Sequence, residues 1–503
     1  MTNNDYQILK RCIDDAKTVK FNNPEHPLDE CVVKMLEDLR DKLEGKGDEF
    51  EIYKFREKYI HPLWKMLIEK SIKCLRTCDK REPFEMYPDK KPIAYGIDKL
   101  KEYYDKYVVF EDILYGSDSY YRDHVVHVFR TWLSGVSVLV KNGGNNLKKI
   151  KLHEKNGIEL TNHEKLSIWT IIALTHDLGY PLQKAKRIVD TTKSMISTFV
   201  SNPDISMDLS FHGVQNYMND FIVRLMSSKM IKLEGKDKPY VARLQPKYYF
   251  KFQKSLEENQ HGILSTLIIY KLLTYFLESD FNINEDYFFS EEDQRQFYIR
   301  REVLRAIASH TCNDVYQLYM ASFSFLLRIC DDTQEWGRKN ISELYVKSPQ
   351  RYETKDIDWQ FENVDGKEYG VCEIKETFTL SEPDQIVSLI NGLRKQSLTY
   401  VTVFRDGQDT VHRDFSFRRE STITNEEISI TMLLEIPYNK ASKLSGAIRY
   451  TSNGKINDDF NDLFFNKIDG CRDVVRKGAK NDDCNKSDEW RHGTFNILLS
   501  NEP

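Results

Sequence analysis

Leu166 to Arg187 reads LSIWTIIALTHDLGYPLQKAKR, an apolar helical run that ends in an adjacent His176 and Asp177. Ile168, Trp169, Ile171, Ile172 and Leu174 are too apolar for a solvated helix, and Gly179 with Pro181 stops the run just after the pair. A buried helix therefore delivers two polar side chains to its own end. An imidazole nitrogen and a carboxylate there can each give a lone pair to one divalent cation, and the carboxylate can bridge to a second. A helix-capping Asp beside a satisfied core His would look the same, so the metal reading depends on partner ligands elsewhere in the chain.

Composition sets the frame. The 503-residue chain is long enough for more than one domain, and its 40% hydrophobic content can fill a sizeable core. Its 78 acidic residues against 73 basic give a formal charge of -5, which argues against a wholesale nucleic-acid coat and leaves room for a local basic patch. The nine cysteines, from Cys12 to Cys484, include no CxxC pair. Cys74 and Cys78 lie one helical turn apart, but no second pair completes a zinc site, so a reducing, cytosolic setting is the simplest reading. The N-terminal MTNNDYQILKR lacks the apolar core of a signal peptide, and no run approaches the ~20 apolar residues of a membrane span. The expectation is a soluble cytoplasmic protein without membrane contact.

Residues 1–117 read as an N-terminal helical layer. Val32, Met35, Leu36, Leu39 and Leu43 recur at helical spacing, and Leu63, Met66, Leu67, Ile72 and Leu75 repeat the pattern. Pro83 to Pro92 reads as a connector, and His26 and His61, beside prolines, as unremarkable. In Tyr120 to Gly135, YYRDHVVHVFRTWLSG, a helix with an apolar side carries His124 and His127 three residues apart. That spacing puts both imidazoles on one face, one able to ligate a metal while the other lies about a turn away. Two ordinary half-buried histidines are the alternative. Lys141 to Asn162, rich in Gly, Asn and Lys, reads as a loop.

Beyond the pair, Lys184, Lys186 and Arg187 could hold substrate phosphates, a solvated helix face being the alternative. His212 is a weak ligand candidate. Ser227 to Lys254 carries eight Lys and Arg against Glu234 and Asp237, interleaved with aromatic residues. It reads as an anion-binding lid, a nucleic-acid contact or a mobile surface insertion. His261 heads the apolar run HGILSTLIIYKLLTYFL, and His310 closes VLRAIASH; each alone reads more readily as a core histidine than as a ligand. Phe323 to Arg338, FSFLLRICDDTQEWGR, interrupts an apolar helix with Asp331 and Asp332. Two such carboxylates are costly to bury unless a cation or a basic partner compensates them.

Together these give His on one helix, His-Asp at the end of a second, His on a third, His on a fourth and Asp on a fifth. The order and the helical contexts resemble the HD-domain superfamily of metal-dependent phosphohydrolases, whose signature is H...HD...D, with extra histidines in two-metal members. The resemblance covers about residues 118 to 340. It looks closest to bacterial HD proteins whose first helix reads DHxxH, as Asp123 to His127 does, and whose last reads D-x-x-x-E-W-G-R, as Asp331 to Arg338 does. It implies that His127, His176, Asp177 and Asp331 hold one metal, and that Asp177, His261 and His310 hold a second. His124 is the alternative first ligand, or a group just behind the ligands, and Asp332 is the alternative to Asp331. Such a set suits one or two divalent ions, Mn or Mg first, with Fe, Co or Ni also fitting. In similar enzymes a metal-activated water attacks phosphorus in line, and a histidine near the metal, here His124, protonates the leaving oxygen.

From Tyr345 the character changes. Tyr369 to Leu380, Ser397 to Arg405 and Ile428 to Ile436 read as strands, and Asp384 to Lys395 as a helix. Lys467 to Trp490 reads as a charged surface excursion before a last strand at Thr494 to Ser500. The expected fold is mainly α: an N-terminal layer over 1–117, a helical HD-domain core over 118–344 with a basic insertion around 227–254, and a smaller C-terminal α+β domain over 345–503. That last domain reads as a site for a regulatory nucleotide, a platform for a homo-oligomer, or a structural cap. For the whole, the resemblance implies first a nucleotide phosphohydrolase, a deoxynucleoside triphosphate triphosphohydrolase (dNTPase), although dNTPases read HDxGH where this chain reads HDLGYP. A cyclic nucleotide or dinucleotide phosphodiesterase is the alternative, favoured by His261 and His310. A nucleotide-sensing HD protein or a nuclease comes third, with the basic patch as the sole support for nucleic acid as a partner. Analogy with bacterial HD proteins that carry extra domains suggests a setting in antiviral (phage) defence.

Overall fold

Apolar residues at helical spacing organise the first two-thirds of the chain, and alternating residues organise the rest. The computed structural model describes residues 4–21, 26–47, 49–78, 96–117, 121–152, 159–201, 205, 214–235, 240–284, 286–338, 351–364, 366–380, 383–404, 413–424, 429–438, 447–453 and 494–498. The helices are α1 (Asn4–Ala16), α2 (Glu30–Leu43), α3 (His61–Cys78), α4 (Ile97–Ser117), α5 (Val125–Lys149), α6 (Asn162–Thr175), α7 (Tyr180–Ile196) and α8 (Val214–Ser227). After a hairpin of β1 (Ser228–Lys232) and β2 (Tyr240–Leu244) come α9 (Pro246–Glu257), α10 (His261–Leu272), α11 (Thr274–Leu277), α12 (Glu291–Ser309) and α13 (Phe323–Thr333). The chain divides into two compact units. All these elements belong to the first, and the layer expected over 1–117 is part of it: α1 packs on α5, and α3 on α6. Among the described residues no helix is long and apolar enough to cross a membrane.

α6 is the axis of the first unit. A capping box between Thr161 and Glu164 starts it, and every residue from His163 to Thr175 is buried. A helix apolar on all sides must be surrounded, and indoles fix its neighbours. Trp64 on α3 donates to Leu174 O at 2.8 Å, Trp132 on α5 to Thr170 Oγ1 at 3.0 Å, and Trp169 on α6 to Trp132 O at 3.1 Å. α1 is tied to α5 by a fully buried bidentate pair, Arg130 Nε and Nη2 to Asp5 at 2.9 and 2.7 Å.

Some expectations need correction. The loop expected over Lys141–Asn162 is in part helix, because the backbone leaves α5 only at Lys141–Gly144 and the helix resumes to Lys149. Asn142, Gly143 and Gly144 all take positive φ there, a turn that their small or amide side chains permit. The long run headed by His261 is broken at Leu273, between α10 and α11. The basic segment is an antiparallel hairpin followed by a helix, with Met230 opposite Ala242; Lys236 and Lys238 lie outside the described residues, as do Pro83–Pro92 and Lys467–Trp490.

The second unit holds a six-stranded sheet in the order β3 (Arg351–Val364), β4 (Lys367–Thr379), β5 (Phe415–Thr424), β6 (Ser429–Ile436), β7 (Ala447–Asn453), β8 (Thr494–Leu498). All neighbours are antiparallel except β4 and β5, which are parallel and joined through α14 (Pro383–Val403). The strand expected at Ser397–Arg405 is therefore wrong: up to Val403 that stretch is the last part of α14, and Arg405 lies outside the described residues. A parallel pair needs a crossover, and Tyr400 and Phe404, four apart, pack on Phe417 at ring-centroid distances of 5.1 and 5.2 Å. That burial overrides the β-branched composition of the stretch.

Asp5→Ala removes the bidentate carboxylate partner of the buried Arg130 guanidinium and should cost about 3–5 kcal/mol in denaturant unfolding, whereas Asp5→Leu combined with Arg130→Met should recover most of the loss. Equal losses in the two would refute an electrostatic role for this pair.

Candidate metal centre

Five helices bring polar side chains to one point, and each is positioned by a local device. The start of α5 is held by two carboxylates. Glu111 Oε1 accepts from the backbone N–H groups of His124 and Val125 at 2.7 and 3.1 Å, and Asp123 accepts from those of Val126 and His127, both at 3.1 Å. All four N–H groups at the helix start are thereby satisfied, which fixes His127 on the first turn. His176 caps the end of α6, and the turn after Asp177 is clamped on both sides. Tyr103 donates to Leu178 O at 2.7 Å, and Ser265 Oγ accepts from Gly179 N at 2.8 Å while donating to His176 O at 2.6 Å. A Cβ on Gly179 would lie 2.4 Å from His261 O, and one on Gly262 2.5 Å from Thr311 Oγ1. Only glycine lets the turn, α10 and α12 come this close. His261 opens α10, His310 caps α12, and Asp331 lies near the end of α13.

Donor atoms lie on both sides of Asp177. His127 Nε2 lies 2.9 Å from Asp331 Oδ1 and 3.7 Å from Asp177 Oδ2. His176 Nε2 lies 3.4 Å from Asp177 Oδ2 and 3.6 Å from Asp331 Oδ1. On the other side, Asp177 Oδ1 is 3.2 Å from His261 Nε2 and 3.5 Å from His310 Nε2. Within each of the sets His127/His176/Asp177, His176/His310/Asp331 and Asp177/His261/His310, donor atoms lie within 4.8 Å of one another, so each set could hold a metal ion. His176, His127, His310 and Asp177 are almost completely buried, whereas the side chains of His261 and Asp331 are 20% and 19% exposed and form the open edge.

The far nitrogens of all four rings are already committed. His176 Nδ1 faces Ala173 O at 2.8 Å and His310 Nδ1 faces Ile307 O at 2.5 Å. A carbonyl oxygen can only accept, so both rings carry a proton on Nδ1. His261 Nδ1 faces Gln183 Oε1 at 2.7 Å, the atom that also accepts from His261 N, and His127 Nδ1 faces Gln334 Oε1. In each neutral ring this leaves the Nε2 lone pair pointing at the cluster. His310 Nε2 and His261 Nε2 stand 3.1 Å apart, and two lone pairs at that distance need a cation or a proton between them. The buried His176 Nε2 has no hydrogen-bond partner. An orphaned buried donor atom, an opposed nitrogen pair and mixed imidazole–carboxylate chemistry all fit a divalent ion.

Charge follows the same pattern. Burial pushes both carboxyls up, yet the imidazoles outweigh it and hold Asp177 and Asp331 well below the usual carboxylate range. For His176 burial opposes the charge, but Asp177 and Asp331 raise the ring to about 9, so at neutral pH its Nε2 carries a proton between the two carboxylates that a bound ion would displace. Burial pushes His310 down to about 4 and lowers His127.

Of the one-residue alternatives, Asp331 and His127 join the donor sets. Asp332 is half-buried beside them. His124 stands back, its ring 6.1 Å from that of His127, stacked on Tyr180 at 3.7 Å and with Nδ1 3.2 Å from Tyr121 Oη. Burial lowers it well below the ordinary histidine value. Lys184 lies over the Tyr180 ring at 5.1 Å, and Lys186 is exposed. The side chain of Arg187 and the whole of His212 lie outside the described residues. Sequence reading missed Glu111, Tyr121, Gln183 and Gln334 as supports. It quoted Arg338 only within a motif, yet its charge lowers both His124 and His127 while its Nε donates to Asp123 O at 3.3 Å. Gln183 and Gln334 did leave a signal, since each is a neutral amide close in sequence to a ligand candidate.

No protein-family model, curated protein or solved structure matches this chain.

Glu111 offers a check on the support of α5. Burial first, then Asp123, push its carboxyl up to about 8. A carboxyl raised in the folded state binds a proton that the unfolded chain has already released, so stability should fall as pH rises from about 4.5 to about 8. The slope is at most about 1.4 kcal/mol per pH unit. Chemical unfolding across this range should show the decline in the wild type and a flatter profile in Glu111→Gln; matching profiles would reject the shift.

Proposed function

We propose that this chain is a metal-dependent phosphohydrolase of the HD type that acts on nucleotides. The observation that carries the reading is one buried carboxylate, Asp177, shared between two sets of imidazoles whose far nitrogens are all locked on oxygen acceptors. His127, His176, Asp177 and Asp331 would hold one ion, and Asp177, His261 and His310 a second. Divalent ions bound there would supply Lewis acidity toward phosphoryl oxygens and bring a water's pKa near neutrality.

The chain's own groups supply the rest. Asp177 and Asp331 stay ionised and bring negative charge to the ions. The amide oxygens of Gln183 and Gln334 and the carbonyls of Ala173 and Ile307 orient the four rings, so none rotates when substrate arrives. Indoles and apolar residues behind α6 exclude water from the rear of the site, which leaves the His261 and Asp331 edge for entry. Arg338, whose charge reaches His124 and His127, and Lys184, over the Tyr180 ring, are basic groups that would meet phosphate oxygens. His124 starts neutral, and Tyr121, which donates to Glu111 at 2.8 Å, can accept from His124 Nδ1. Its Nε2 is then a proton acceptor. The acid role expected for it follows only after it takes a proton from the attacking water, which it can pass to the leaving oxygen.

A dNTP is the substrate proposed first, on the resemblance and on basic groups suited to a triphosphate. The second reading, a cyclic nucleotide or dinucleotide phosphodiesterase, is favoured by the second donor set at His261 and His310. Incubation with Mn or Mg and a panel of dNTPs and cyclic nucleotides, followed by chromatography of products, separates them. Deoxynucleoside plus triphosphate supports the first, an opened ring the second, and no turnover of either class counts against both. Asp177→Ala should abolish turnover and Mn binding at the His/Asp cluster together. His124→Ala should lower kcat by about 10²–10⁴-fold with metal content retained, the range for a lost proton-transfer group; a loss of metal in that variant would make His124 a ligand instead.

A further inference from the structure

We propose that Cys74, Cys78 and His163 form a separate binding site for a soft divalent cation, zinc above all, that joins the end of α3 to the start of α6. One donor atom from each lies within 4.8 Å of the others, with Cys74 and His163 buried and Cys78 half-buried. Cys74 and Cys78 are four apart on α3, the spacing at which two side chains of one helix face can grip a single ion. His163 is the second residue of α6, so the third donor comes from a different helix and closes the set. Neither cysteine is in a disulfide.

Charge supports this placement. Cys78 is the last residue of α3, where the helix carbonyls make the field negative and favour a bound cation. A set of two sulfurs and an imidazole supplies the donors for such a cation. Two sulfurs and one imidazole prefer Zn²⁺ to Mg²⁺ or Mn²⁺, whereas the His/Asp cluster at the other end of α6 prefers harder ions. The fourteen residues of α6 separate the two sites by about 20 Å, so they can fill independently. Three protein donors leave the fourth position to water or an incoming ligand. Occupation would pin the start of the helix whose other end carries His176 and Asp177.

Cobalt(II) is the probe, because thiolate-to-cobalt charge transfer absorbs in the near ultraviolet and the His/Asp cluster contains no sulfur. The reduced full chain should gain this absorption on cobalt titration, Asp177→Ala should keep it, and Cys78→Ser should lose it. Absence from the wild type, or persistence in Cys78→Ser, overturns the site. A readout that needs no variant guards against misfolding: zinc should protect the half-buried Cys78 of the wild type from maleimide, as mapped on peptides. Protection elsewhere, or a Cys74–Cys78 disulfide in place of the ion, overturns it as well.

Discussion

Asp177 turns one carboxylate oxygen toward His127 and His176 and the other toward His261 and His310. Buried charges of this kind are tolerated only when opposite charge and hydrogen bonds compensate them, and here the compensation comes from four different helices. The packing of the first unit serves that meeting. α6 must be apolar all round to be enclosed, its end must halt at the pair, and the turn beyond must lie against α10 with no side chain between. Gly179 meets that last requirement through contacts that leave no room for a Cβ, and Gly262 does the same between α10 and the end of α12.

Behind the donors, a layer of acceptors does as much to define the site. Two backbone carbonyls and two glutamine oxygens take the far protons of the imidazoles, and two carboxylates take the N–H groups at the start of α5. The arrangement fixes orientation before any ligand arrives, so little reorganisation is left for binding. Glu111 has a further part: through Tyr121 it influences which nitrogen of His124 carries the proton, and so links a buried support to the group proposed to move protons.

Much of this was legible in the primary structure because the chemistry is expensive. Histidines and aspartates inside apolar helical runs stand out against their surroundings, and five in order made a pattern that no single one could make. The supports were less visible. Glu111 lies on α4, and its pairing with the start of α5 depends on how two consecutive helices meet, which local periodicity does not describe. Ser397–Val403 misled for a related reason: its β-branched residues favour a strand, but the parallel pairing of β4 and β5 demands a crossover, and Tyr400 and Phe404 are buried only if the helix continues.

By itself the sequence determined the helical character of the first unit, the stop after His176 and Asp177, and the residue types able to hold a cation, since periodicity and the cost of burying charge act locally. Only the tertiary structure decided that Asp331 joins the donors, that His124 stands behind them neutral, and that Cys74 and Cys78 gain a third donor in His163. Those outcomes depend on which helices touch and in what rotation, which the sum of packing contacts across the whole unit sets.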